Sequence, residues 1–206
     1  PEPTRLYEQL RRVTLKNAGS LTQQELGEQL AALPQVLCVV NRRKTAQELF
    51  AALPQEGSFC LTTLLYPAHR KAALQEIRRR LDVGLPCRVV STSLIEAGVD
   101  VDFPAVYREM AGLDSILQAA GRCNREGKNA AETSLVTVFT LDGQSVPKMI
   151  QLNVQTTERV LQHYDDPTNL AAIEEYFTFY RSLKGDIQLD AKNILSDFQN
   201  KLMPFA

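Results

Sequence analysis

Apolar residues gather in short unbroken runs along the first two-thirds of the chain: "VLCVV" (36–40), "FCLTTLL" (59–65), "CRVVS" (87–91) and "LVTVF" (135–139), with "AVY" (105–107) as a shorter fifth. Each is rich in β-branched or aromatic residues and bounded by Gly, Pro, Ser or Asn, which predicts strands. Between them lie helical patterns, "TAQELFAAL" (45–53), "HRKAALQEIRRRL" (69–81) and "LDSILQAAGRC" (113–123). Runs that are continuous rather than alternating need cover on both faces. Interleaved with helices, they predict an α/β fold built on a parallel sheet. Upstream, "RVTL" (12–15) reads as an edge strand and "LTQQELGEQLAAL" (21–33) as a helix ended by Pro34. After about residue 145 the strand pattern stops. "VPKMIQLNVQTTERVLQHY", "NLAAIEEYFTFYRSL" and "DAKNILSDFQN" predict three helices, and the aromatic stripe Tyr176, Phe177, Phe179 and Tyr180 reads as helix core. The expected organisation is an edge strand and helix over 1–35, the main sheet over 36–145, and a helical extension over 146–206.

Composition adds limits. The 206 residues hold one ordinary domain plus an appendage, and 44% hydrophobic with 23% charged residues is a globular, ordered balance. A net charge of −1 gives no global attraction to nucleic acid, so any such binding needs a local basic patch. No run approaches the ~18 apolar residues that span a bilayer. Cys38, Cys60, Cys87 and Cys123 form no C-x-x-C pair. They read as reduced, mostly buried thiols in a cytoplasmic protein, with no metal site expected. "PEPTRL" at one end and "KLMPFA" at the other suggest a piece of a larger protein.

Three stretches carry candidate chemistry. Asn41, in "NRRKTAQEL", follows an apolar strand, where open parallel sheets place ligands; as a bland alternative it is a turn residue. In "VVSTSLIEAGVDVDF", Ser91 ends a strand and S-x-x-E (93–96) fits a capping box, so Thr92 and Ser93 would offer hydroxyls and free N–H groups at a helix start. Gly98 would close that helix, and Asp100 or Asp102 could accept from a ribose hydroxyl. In "SILQAAGRCNREG", a helix continued to Gly127 would align Gln118, Arg122 and Arg125 on one stripe, beside the strand tips. The alternative is that both arginines pair with surface carboxylates. Gly121 within a helix costs about 1 kcal/mol relative to alanine, which asks for a packing reason. "GRCNREGKN" is not a P-loop: five residues separate its glycines and Asn129 replaces the hydroxyl.

Taken in order, "VLCVVNRRKTAQELF", "VVSTSLIEAGVDVDF" and "QAAGRCNREG" resemble helicase motifs IV, V and VI of superfamily 2. Their spelling is similar to that of the CRISPR-associated helicase–nucleases of type I systems, over roughly 36–141. The resemblance implies a second RecA-like lobe. It assigns Gln118, Arg122 and Arg125 to catalysis on ATP, with Arg125 the arginine finger. Asp100, Gly98 and Gly121 fall on the nucleotide side, and Thr92, Ser91, Asn41 and Arg70 on the nucleic-acid backbone. "YPAHR" around Arg70 departs from commoner spellings of that motif.

The same resemblance implies an ATP-dependent single-stranded DNA translocase whose partners are its own first RecA-like lobe and the RNA-guided Cascade complex. ATP with Mg2+ would be held mostly by that first lobe, with Walker A, Walker B and the HD nuclease outside this chain, so the chain alone is expected to be inactive. No membrane partner is implied. Another superfamily 2 DNA or RNA helicase, or a protein-interaction module, are the alternatives.

Overall fold

A computed structural model describes residues 11–96 and 98–185, with Asp190, Ala191 and Ile194. Its centre is a six-stranded, wholly parallel sheet in the order β1-β6-β5-β2-β4-β3. The strands are β1 (Thr14–Leu21), β2 (Gln35–Val39), β3 (Ser58–Leu61), β4 (Cys87–Ser91), β5 (Ala105–Glu109) and β6 (Leu135–Leu141). The crossover helices are α1 (Gln23–Ala32), α2 (Arg43–Ala52), α3 (Pro67–Asp82) and α4 (Leu113–Ala120). This is the expected RecA-like α/β arrangement.

β2 explains the pattern at its source. Leu37 and Val39 face one core with Ile77 of α3, Ile95, Phe103 and Ala119 of α4. Val36, Cys38 and Val40 face the other, with Leu26 and Leu30 of α1 and Leu49 of α2. A strand with a core on each side has no solvent face for a polar residue, so its sequence runs apolar without alternation. α1 starts from a full capping box, Thr22 and Glu25 bonding reciprocally. Cys38, Cys87 and Cys123 are buried, Cys60 half-buried, and all four are free thiols. Burial pushes the Cys87 and Cys123 thiols up to about 12, so they pack as small hydrophobes.

Two strands differ from expectation. β1 runs on to Leu21 through the polar "KNAGS", because an edge strand paired only to β6 exposes that segment. β3 stops at Leu61: Leu65 N–H bonds back to Thr62 O, and Pro67 at the first position of α3 starts the helix.

The helical extension begins with a turn over Lys148–Ile150, followed by α5 (Gln151–His163) and α6 (Leu170–Lys184). Most of the third expected helix lies outside the described residues. Of the aromatic stripe, only Tyr176 is core, packed on Leu113, Val160 and Ala172. Phe177 is exposed, while Phe179 lies under the Arg159 guanidinium at 4.2 Å. The Tyr176 hydroxyl donates to Asp114 Oδ1 at 2.9 Å, fixing α6 to the start of α4. This contact demands glycine at 112, where a Cβ would stand 2.7 Å from the Tyr176 hydroxyl. Tyr176→Phe should cost about 1 kcal/mol in a urea melt, the usual worth of one such bond. Among the described residues, no helix is long and apolar enough to cross a membrane.

Candidate functional site

Asn41, Ser91 and Thr92 lie together at the carboxyl ends of β2 and β4, joined by Val40 N–H donating to Ser91 O at 2.9 Å. Asn41 is held on three sides. Its N–H donates to Glu109 Oε2 (2.7 Å), its amide nitrogen donates to Met110 O (2.9 Å), and its amide oxygen accepts from Arg108 Nη1 (2.9 Å). Ser91 is fully buried, its hydroxyl turned inward to Leu61 O at 2.9 Å, so it shapes the edge without facing solvent. Thr92 follows it, and its hydroxyl makes no capping bond.

The expected capping box at 93–96 does not form. Ser93–Ile95 make one 3-10 turn, and the Glu96 carboxylate swings to Arg108, Oε1 to Nε 3.1 Å. A buried guanidinium outcompetes a solvated backbone N–H for that carboxylate, so no helix N-terminus is available there. Arg70 stands on α3 beside a groove with Lys71 and Arg78, whose opposite wall is Ser93, Leu94, Gly98 and Val99. Gly98 turns this wall at φ +71°.

The arginines lie elsewhere. α4 starts from the carboxyl end of β5, runs back across the sheet and ends at Gly121. Phe103 N–H then donates to Arg122 O (2.8 Å) and Asn124 N–H to Phe103 O (3.1 Å), a bridge just before β5 begins. Arg122 and Arg125 therefore sit toward the amino edge of the sheet, opposite Asn41 and Thr92, and not beside the strand tips as expected. Nor do they share a stripe. Asn124 takes a left-handed φ of 47°, which ends any helical continuation. Gln118, Gly121 and Arg125 face solvent, while Arg122 turns inward. Arg122 donates from Nε to Ile95 O (3.2 Å) and from Nη2 to Glu96 O (2.7 Å), and is 8% exposed. Its fork is used by the backbone of the 93–96 turn.

Arg125 differs. Its Nε meets Asp100 Oδ1 at 3.0 Å, in a pair whose side chains are 46% and 78% exposed. Such a pair is weak in water, and a stronger anion can replace the carboxylate. Asp102 is committed to the loop, accepting from Arg125 N–H (2.7 Å) and Glu126 N–H (3.2 Å), which leaves Asp100 as the available carboxylate. Arg78 Nε donates to Asp100 O at 2.9 Å, and Lys128 joins Arg78, Asp100 and Arg125 around one cleft of ≈ 350 Å³. A Cβ on Gly121 would meet only carbonyl oxygens of its own helix, at 3.4 and 3.5 Å. Nothing within the described chain requires glycine there.

Sequence reasoning passed over Arg78, Lys128 and the pair Arg108–Glu109. Arg108 is 2% exposed and Glu109 7%. Burial holds the Arg108 guanidinium below the usual arginine range and raises the Glu96 and Glu109 carboxyls. The available signal was two adjacent charges closing an apolar strand, "AVYRE".

Residues 33–128, from the approach to β2 through the Arg125 loop, match the family model described as CRISPR-associated nuclease/helicase Cas3, C-terminal. Over this stretch the chain is similar to Cas3-like C-terminal domains. Over 57 residues the chain is 49% identical to the CRISPR-associated nuclease/helicase Cas3 of Haloferax volcanii, covering 28% of this chain and 6% of that protein. Over 134 residues it is 28% identical to the Cas3 of Methanothermobacter thermautotrophicus, covering 63% of this chain and 16% of that protein. The chain thus spans a small part of these relatives. Its fold is similar to that of T. fusca Cas3 crystallised with ADP (TM-score 0.63, 16% identity, 93% of this chain and 27% of that one). It is also similar to a chain of a CRISPR RNA-guided surveillance complex before nicking (0.58, 15%, 93% and 27%). Mycobacterium smegmatis helicase Lhr bound to ssDNA and AMP-PNP shares the fold more loosely (0.51, 15%, 73% and 22%).

Proposed function

We propose that this chain is the second motor lobe of an ATP-dependent single-stranded DNA translocase acting in CRISPR interference. The observation that carries the reading is Arg125, an exposed guanidinium with one exchangeable carboxylate partner, in the loop after a helix whose outer face is Gln118 and Gly121. Bound ATP with Mg2+ supplies the phosphoanhydride whose cleavage drives movement, and most of its contacts lie on the first lobe. Arg125 leaves Asp100 for the γ-phosphate, where its planar, permanently charged fork stabilises developing charge. Asp100, freed, accepts from a ribose hydroxyl. Gln118 lies on the same outer face, and the bare backbone at Gly121 lets a facing lobe approach closely. Gly98 turns the loop that carries Asp100. Arg122 holds the 93–96 turn and is not given a role on the phosphate.

On the opposite edge, Thr92 and Asn41, with Arg70 on the basic groove beside them, grip the phosphates of a single strand. Ser91 supports Thr92 from within. We assign 1–35 and 36–145 to one RecA-like lobe and 146–206 to a helical lead into an accessory domain. Recruitment by the Cascade complex and a cytoplasmic setting fit free, unpaired thiols and the likeness to a surveillance-complex chain.

Assayed alone, the chain should hydrolyse no ATP; robust turnover that depends on Arg125 would refute the division of labour between lobes. In the full protein, single-strand binding should weaken with salt at a slope of roughly −0.7 per phosphate contact, read by titration at several salt concentrations. Another superfamily 2 helicase is the second reading, favoured by the likeness to Lhr. A different nuclease, or none, encoded upstream would select it.

A further inference from the structure

A buried charged network lies between the two edges. Arg108 Nε forms a buried ion pair with Glu96 Oε1 (3.1 Å) outside hydrogen-bond geometry, and its Nη1 donates to Asn41 Oδ1 (2.9 Å) and Glu109 O (2.7 Å). The carbonyl of the same Glu96 holds Arg122 Nη2 at 2.7 Å, three residues before Arg125. Glu96 is thus held twice, by its carboxylate from the strand-gripping edge and by its carbonyl from the nucleotide edge. Only one 3-10 turn separates it from Thr92. Stability alone does not call for such a network, because well-packed apolar residues replace a buried ion pair at no loss and often with gain.

We propose that Arg108 is a positioning residue that couples single-strand binding at Asn41 and Thr92 to the arginine loop, acting through Glu96 and Arg122. The inference rests on the translocase reading above. A strand pressing on Asn41 or Thr92 loads the Arg108 fork or the 93–96 turn. Either displacement reaches Arg122, whose two bonds end on that turn, and so shifts Arg125 relative to the cleft. Arg108 touches neither nucleotide nor strand.

The test uses the full-length protein and the double variant Arg108→Met with Glu96→Leu, which removes both charges of the pair, while Glu109 keeps its hydrogen bond from Asn41 N–H. Glu96→Gln serves as a milder second variant, keeping shape and hydrogen-bonding reach. Thermal melts check folding, and ATPase is measured with and without saturating single-stranded DNA. The expected result is unchanged basal hydrolysis with DNA stimulation lowered about tenfold in the double variant, within the usual range for coupled sites. Glu96→Gln should shift in the same direction by less. Full stimulation in the folded double variant would overturn the coupling while leaving the translocase reading intact. An equal fall in basal and stimulated rates would also overturn it, marking the pair as structural. A wild-type protein that DNA does not stimulate would remove both readings together. Should the double variant fail to fold, undiminished stimulation in Glu96→Gln would by itself refute the coupling.

Discussion

Arg125→Ala in the full-length protein is expected to lower ATP turnover by about 10³-fold or more, the range measured for arginine fingers, while nucleotide affinity changes little. The split follows from when the guanidinium acts. In the resting chain it rests on an exposed Asp100, so ground-state binding owes it little. As the γ-phosphate departs, charge spreads over its oxygens and a fixed planar donor gains most, which appears in turnover rather than in affinity. Arg125→Lys should recover little, because an ammonium lacks the fork. Steady-state ATPase beside a titration with a non-hydrolysable nucleotide reads both quantities. Near-normal turnover in Arg125→Ala would end the finger assignment. Arg122→Ala should behave differently: its guanidinium holds Ile95 O and Glu96 O, so its loss lowers the melting temperature first.

Arg108→Ala should produce the largest loss of stability, about 3–5 kcal/mol, since removing one partner leaves the other charge buried and uncompensated. Its pH dependence identifies the cause. Burial already raises the Glu96 and Glu109 carboxyls, and removing the guanidinium raises them further. A carboxyl raised on folding contributes stability that is full below its unfolded value, about 4.3, and is lost as pH climbs through its folded value. The deficit against wild type should therefore shrink toward about pH 5 and widen toward about pH 8, as neutralised carboxyls give way to stranded charges. Urea melts at the two pH values measure it. A deficit equal at both would show that packing, not charge, is what Arg108 supplies.

The sheet was legible because burial on two faces writes an unambiguous pattern: the apolar runs at 36–40 and 87–91 nearly coincide with β2 and β4. β1 was only half legible, since an edge strand exposes "KNAGS" and carries no apolar signature. The Gln118, Arg122 and Arg125 stripe failed for a local reason. Residue spacing alone extends the helix past Gly121 and Asn124, although these residue types favour ending one. The 93–96 box failed for a non-local one, because Arg108, remote in sequence, lies within reach of Glu96. Local sequence holds no trace of that competition. Motif spelling located Asn41, Thr92 and Arg125 in the chain, but only tertiary structure separates them onto opposite edges.

α4 spans that separation as a single short rod. Eight residues rise about 12 Å, too few turns to flex along their length. One end is clasped through Asp114 and Gly112 by Tyr176 of the helical extension, and the other end leads into the arginine loop. Torque applied through α6 would therefore tilt α4 as a unit. The arginine loop follows its far end, so a partner docked on the extension would bear on the aim of Arg125.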